Sequence, residues 1–278
     1  MNIFQAVILG IIQGLTEFIP VSSTAHLLIG QKILGIPASD SMFAFLILVQ
    51  WGTLVSLFIY FGKDLTDMLK AFLESLKDFR SFKNFGSLSP QAQMAWYIII
   101  ATIPALIVGY LLKDALEQLF STPLLAASIR LFAAAILLSL AEWLGKRSRS
   151  LDEMNWKDAL IVGLFQIFAV FPGASRSGST IAGGMLRGFE RKSSARFAFL
   201  MSIPVMLAAG AYESLDLLKM PNLGEFIPTL IVGFISAAFV GWLAIRWLMD
   251  YLNKKSLYSF ALYCAVLGGL ILGFYLLG

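Results

Sequence analysis

Six apolar runs, each close to the ~20 residues that carry a helix across a bilayer, constrain this chain more than any other feature. They fall at about 42–62, 94–112, 124–145, 195–214, 226–248 and 257–277. Hydrophobic residues make up 58% of the 278 and charged ones 14%, against roughly 25% charged in a soluble domain. The expected fold is therefore an all-α polytopic membrane protein forming one integral-membrane domain over 1–278. The opening "MNIFQAVILGIIQGLTEFIP" has no basic segment and contains Glu17, so it is not read as a cleaved signal peptide. The single cysteine, Cys264, lies in an apolar run and is expected to be a buried small hydrophobe.

Two further apolar regions are broken. Residues 3–36 are interrupted by "EFIPVSST" and residues 157–189 by "FPGASRSGST". Each half is short for a span, and each break carries proline and hydroxyl residues. A helix pair that enters the membrane and turns back is expected in both places, because irregular backbone at that depth survives only under cover of protein or trapped water. Re-entry of both pairs sorts the cations. Those from Lys63 to Lys83, Lys146 to Lys157, Arg187 to Arg196 and Arg246 to Lys255 collect on one side, leaving Lys32, Lys113 and Lys219 on the other. The positive-inside rule makes the first side cytoplasmic. Both termini are then extracytoplasmic, and no nucleic-acid partner is expected.

The chain also repeats itself. "FAFL" occurs at 43–46 and 197–200, and "IPALIVGY" at 103–110 matches "IPTLIVGF" at 227–234. "QGLTEFIPVSS" and "QIFAVFPGAS" share Gln, then Pro, then Ser three residues after the Pro. Two repeats follow, at about 1–145 and 157–278, each with one re-entrant pair and three spans. Three is odd, so the second repeat is inverted in the membrane, and its broken helices meet those of the first near the midplane.

The tips can do chemistry. Ser22 or Ser23 can cap a helix starting near Thr24, and Ser175 or Ser177 one starting near Gly178. Two helix N-termini aimed at one interior spot suit an anion, phosphate above all. Gly173 and Gly178 allow close backbone approach. Arg176 adds a planar donor fork suited to phosphate oxygens. An arginine at that depth costs ~2.5–3.5 kcal/mol on insertion scales, so it needs a partner or a ligand. Glu17 is the structural partner; ligand binding is the preferred reading. Gln13 and Glu17 share a helical face at i, i+4, and His26 stands one turn beyond Ser23. These groups point to phosphoryl transfer, with Ser23 as nucleophile and His26 as general base. Direct attack by His26 is the close rival. Glu17 would hold a divalent cation or act on the hydrolytic water.

As they stand, "QGLTEFIPVSSTAH" and "PGASRSGST" resemble the undecaprenyl-diphosphatase (bacitracin-resistance) family of bacterial membrane enzymes. The family pattern falls on Gln13 and Glu17 in the first motif. In the second it falls on Pro172, Gly173, Ser175, Arg176, Ser177 and Thr180. The resemblance covers essentially the whole chain. It implies hydrolysis of undecaprenyl diphosphate to undecaprenyl phosphate and inorganic phosphate, recycling the lipid carrier for cell-wall synthesis and giving bacitracin resistance. It also implies a divalent cation (Mg or Ca) at Gln13 and Glu17, a homodimer, and a site in the bacterial cytoplasmic (inner) membrane open to the periplasmic side. Glu17, Ser23, His26 and Arg176 are then the catalytic positions. Ser22, Thr24, Gly173, Ser175, Ser177 and Thr180 bind phosphate. Position 13 is Gln where many members carry Glu, and an amide is a poorer ligand for a hard cation.

The main rival is a polyprenyl-phosphate transporter or flippase using the same midplane site, since inverted repeats with broken helices also build transporters. A structural scaffold does not explain Arg176. The charge runs "KRSRSLDE" and "KDLTDMLKAFLESLKDFRSFK" are expected to be a solvated loop and an amphipathic surface helix, with no site.

Overall fold

The structure, a computed structural model, describes residues 1–37, 39–77, 85–112, 123–170, 175–217 and 223–277. Arg80, Lys83, Lys113, Pro172, Gly173 and Lys219 lie outside these. The described residues form eleven α-helices and two 3-10 turns. The helices are α1 (Ile3–Phe18), α2 (Ser23–Ile33), α3 (Asp40–Tyr60), α4 (Gly62–Lys77), α5 (Pro90–Leu111), α6 (Pro123–Leu144), α7 (Trp156–Val170), α8 (Arg176–Leu186), α9 (Arg191–Leu217), α10 (Leu223–Tyr251) and α11 (Tyr258–Leu277).

Both broken regions are helical hairpins whose far ends meet. Gln5, in the first turn of α1, donates from Nε2 to the Leu34 carbonyl just past α2, at 3.1 Å. Asp158, in the first turn of α7, pairs with Arg187 just past α8, at 2.7 Å. At 11 residues each, α2 and α8 are about 16 Å long, well short of the ~30 Å hydrocarbon core. Five helices among the described residues are long and apolar enough to span: Pro90–Leu111, Leu124–Leu144, Arg191–Tyr212, Phe226–Tyr251 and Tyr258–Leu277. A sixth candidate is the pair Phe45–Tyr60 and Gly62–Lys77, bent by 80°. Beyond that bend α4 is amphipathic, as expected, with Leu69, Leu73 and Leu76 exposed at i, i+4 and i+7. Such a stripe suits a helix lying in the membrane interface.

Packing is paired. α1 lies on α10 and α10 on α3; α7 lies on α5 and α5 on α9; α3 also meets α9, and α6 meets α11. Small residues let these backbones close up, as expected where dispersion rather than the hydrophobic effect holds helices together. A Cβ on Gly10 would sit 2.5 Å from the Gly233 carbonyl, and one on Gly163 would run into the backbone of Ala101. The repeated "FAFL" segments put Phe45 and Phe199 fully inside, and the repeated "IP" puts Pro104 and Pro228 within α5 and α10. Cys264 is buried, as expected.

The loop "KRSRSLDE" corrects an expectation: it is tied down rather than simply solvated. Asp158 is fully buried and takes Arg149 and Arg187, each at 2.7 Å. Glu142, also buried, takes Arg147 at 2.9 Å, Arg191 at 2.6 Å and the Leu257 N–H at 2.6 Å. A buried carboxylate needs such donors, because unpaired it would cost several kcal/mol. Burial pushes the Asp158 carboxyl up, but hydrogen bonds from Arg149 and Arg187 outweigh it and hold the group below its ordinary value of 3.8. A lowered folded value means that this stabilisation is complete above about pH 3.8 and fades as pH falls through the folded pKa. Asp158→Asn is therefore expected to cost about 2–3 kcal/mol at neutral pH and to lower the thermal midpoint in detergent. The gap to the native chain should narrow below about pH 3.8.

Candidate active site

The hairpin tips touch. Arg176, the first residue of α8, reaches Glu17 near the end of α1, Nη2 to Oε1 at 2.5 Å. Ser177 Oγ donates to the Ile19 carbonyl at 3.5 Å, and Gly178 lies against Pro20, where a Cβ would stand 3.7 Å from the proline Cβ. Glu17 is the hub. Its Oε2 accepts from Gln13 Nε2 and from Ser23 Oγ, both at 2.8 Å. Three donors from α1, α2 and α8 thus converge on one carboxylate. Charged hydrogen bonds of this kind are the strong ones.

A cavity of about 240 Å³ opens beside this hub. Glu17, Ser22, Ser23, Thr24, Ser175 and Arg176 form its polar wall. Gln50 of α3 and Arg130 of α6 add to that wall, and Val205, Met206 and Ala209 of α9 with Ala169 of α7 make it apolar elsewhere. One carboxylate and two guanidiniums give the wall a net charge of +1, since arginine stays protonated. The two helix starts differ. Ser175 caps α8, accepting from the Gly178 N–H at 3.2 Å, as expected. Neither Ser22 nor Ser23 caps α2: Ser22 has φ 70° and ψ 92° with no side-chain cap bond, and Ser23 is already helical and bonded to Glu17. A cap requires extended backbone at that position, and Ser22 lacks it. The first turn of α2 therefore presents its N–H groups without a side-chain cap, where an anion can take them. A non-glycine residue held at positive φ costs of order 1–3 kcal/mol and clusters at functional sites.

His26 is placed differently from the sequence reading. It does not bond Ser23. Its Nδ1 lies 2.9 Å from the Ser22 carbonyl and its Nε2 2.7 Å from the Tyr263 hydroxyl, with the rings stacked at 5.7 Å. In the neutral ring Nδ1 must carry the proton, because a carbonyl only accepts, and Nε2 then accepts from Tyr263. Thr180 turns away as well, donating to the Arg176 carbonyl of its own helix at 2.8 Å. Ser177 touches the cavity indirectly, sharing a 3.1 Å bond with Ser175. Gly173 lies outside the described residues. Gln50 and Arg130 at the cavity and Tyr263 against His26 are not expected from the sequence motifs. Arg130, a lone cation within "AASIRLFAAA", could have been found by the insertion-cost argument that singles out Arg176.

The donor set does not suit a divalent ion held by the protein alone. Among the described residues no three His, Cys, Asp or Glu side chains gather, and both oxygens of Glu17 already face donors.

These features define a multi-pass membrane protein with a net-positive, hydroxyl-rich cavity between two helical hairpins. Residues 6–270 match the family model described as Bacitracin resistance protein BacA, and the chain belongs to that family. Its relatives include an undecaprenyl-diphosphatase of Alkaliphilus metalliredigens, 39% identical over the whole of both chains. One of Chloroherpeton thalassium is 40% identical, covering all of this chain and 98% of its own. One of Methanobrevibacter smithii is 37% identical over 96% of each.

Proposed function

We propose that this protein hydrolyses undecaprenyl diphosphate to undecaprenyl phosphate and inorganic phosphate, recycling the lipid carrier and giving bacitracin resistance. The observation that carries this is the meeting of Arg176 with Glu17 and Ser23 at the wall of a net-positive cavity. The shared name of the relatives favours the phosphatase over the transport reading.

Ser23 Oγ already points its proton at Glu17 Oε2. In the proposed reaction that carboxylate takes the proton as the oxygen attacks the terminal phosphorus. The bond to the bridging oxygen breaks, undecaprenyl phosphate leaves, and water then hydrolyses the phosphoserine. Glu17 replaces His26 as the proposed base because the imidazole is engaged elsewhere. Arg176 and the N–H groups opening α2 stabilise charge on the transferred group. The apolar α9 wall suits the first part of a prenyl chain. A magnesium or calcium ion would be carried in by the diphosphate, because the described residues gather no set of three carboxylate, imidazole or thiol groups for it.

The two hairpins are proposed to be re-entrant, one in each of two inverted repeats. Their joined ends and short lengths support this, and so does the matched packing of α1 on α10 with α7 on α5 and of α10 on α3 with α5 on α9. The gathering of Arg147, Arg149, Arg187 and Arg191 around two carboxylates at one end supports a cytoplasmic assignment for that end. The site would then open to the periplasmic side of a bacterial inner membrane. A homodimer remains part of the proposal by family resemblance.

The test is phosphate release from polyprenyl diphosphates by the purified protein in detergent, where no membrane separates two compartments. Ser179→Ala, away from the hub, should keep the activity. No release across a range of chain lengths and cations would overturn the reading.

A further inference from the structure

Charge at the cavity points to a second phosphate position. Arg176 and Glu17 are paired, so together they contribute nothing net. The remaining charged residue on the wall is Arg130, with its whole residue only 4% exposed. It comes from α6, a helix long and apolar enough to span, where a guanidinium is costly and so marks function by default. α6 packs against both α2 and α8, the two helices that start at the tips. Arg130 thus approaches the cavity from a different helix than the hub, and the Gln50 amide of α3 shares the lining with it.

We propose that Arg130, assisted by Gln50, forms a second phosphate subsite. It holds the lipid-bearing phosphate of a diphosphate, while the Glu17–Ser23–Arg176 hub holds the terminal one. This rests on the phosphatase reading for the direction of the substrate, since the nucleophile defines which phosphate is transferred. The subsite supplies a reason to prefer diphosphates: a diphosphate engages the hub and Arg130 together, whereas a monophosphate engages one position at a time. The planar fork of arginine can take two oxygens of one phosphate at once, and a neutral amide beside it adds a donor without cancelling the charge.

Binding of two small probes by calorimetry in detergent tests this without requiring turnover. Methylenediphosphonate presents two linked phosphorus groups, and inorganic phosphate one. Arg130→Gln should weaken methylenediphosphonate by at least about tenfold while leaving phosphate within about twofold. Arg130→Lys should fall between, because it keeps the charge and loses the fork. In turnover assays KM for the lipid diphosphate should rise more than kcat falls. Should Arg130→Gln fail to fold by thermal melt, Gln50→Leu carries the same prediction in weaker form: methylenediphosphonate is weakened and phosphate is not. Equal losses for both probes, no loss for either, or no methylenediphosphonate binding by the native chain would overturn the subsite. A native chain that binds methylenediphosphonate in this pattern but releases no phosphate would instead overturn the phosphatase reading.

Discussion

Arg176→Ala is expected to reduce phosphate release by at least about 10²–10³-fold, the usual loss when a donor aimed at developing charge is removed. It is also expected to cost about 3–5 kcal/mol of stability, because Glu17 stays behind as a nearly buried carboxylate without its counter-ion. These two losses separate in the double variant Arg176→Ala with Glu17→Gln. Removing both charges should restore most of the thermal midpoint, because an uncharged pair leaves no stranded ion. Phosphate release should stay lost. If the double variant recovered release together with stability, neither Arg176 nor the proposed base Glu17 would take part in the chemistry.

Ser23→Ala should lower turnover by at least about 10³-fold with little change in stability. Glu17 keeps its bonds from Gln13 and Arg176, so the lost hydroxyl costs only about 1 kcal/mol. His26→Gln should be milder in turnover, because the ring is proposed to hold the backbone of Ser22 rather than attack phosphorus. Rapid quenching with labelled substrate should trap the label on a peptide containing Ser23, with serine carrying it. Label on His26, with Ser23→Ala still able to form it, would reverse the assignment of the nucleophile.

What could be read from the chain follows the strength of the local signal. Proline beside hydroxyl residues in an apolar region marks both hairpin breaks, and Pro20 and Ser175 fall at them. Arg176 and Glu17 stand out because charge is costly within so apolar a stretch, and they do meet. Helical spacing, by contrast, puts Ser23 and His26 on one face without saying what lies opposite. Ser23 sits in the first turn of α2 and bonds across the hairpin to Glu17, while His26 faces Tyr263, which is 237 positions away. The missing cap on α2 carries no sequence signal either, because serine is a favoured cap residue and only the structure shows Ser22 at φ 70° without a cap bond. The loop "KRSRSLDE" looks solvated from its charge alone. Its arginines are held by Glu142 and Asp158, carboxylates on the neighbouring helices α6 and α7.

The proposed reaction requires one diphosphate to be held by both hairpins at once. A structure of the protein with a non-hydrolysable polyprenyl methylenediphosphonate tests that directly. The terminal phosphonate should lie within hydrogen-bond reach, about 2.7–3.2 Å, of Ser23 or Thr24 on one tip and of Arg176 on the other. A phosphonate held by one tip alone, or seated outside the cavity beside Glu17, would contradict it.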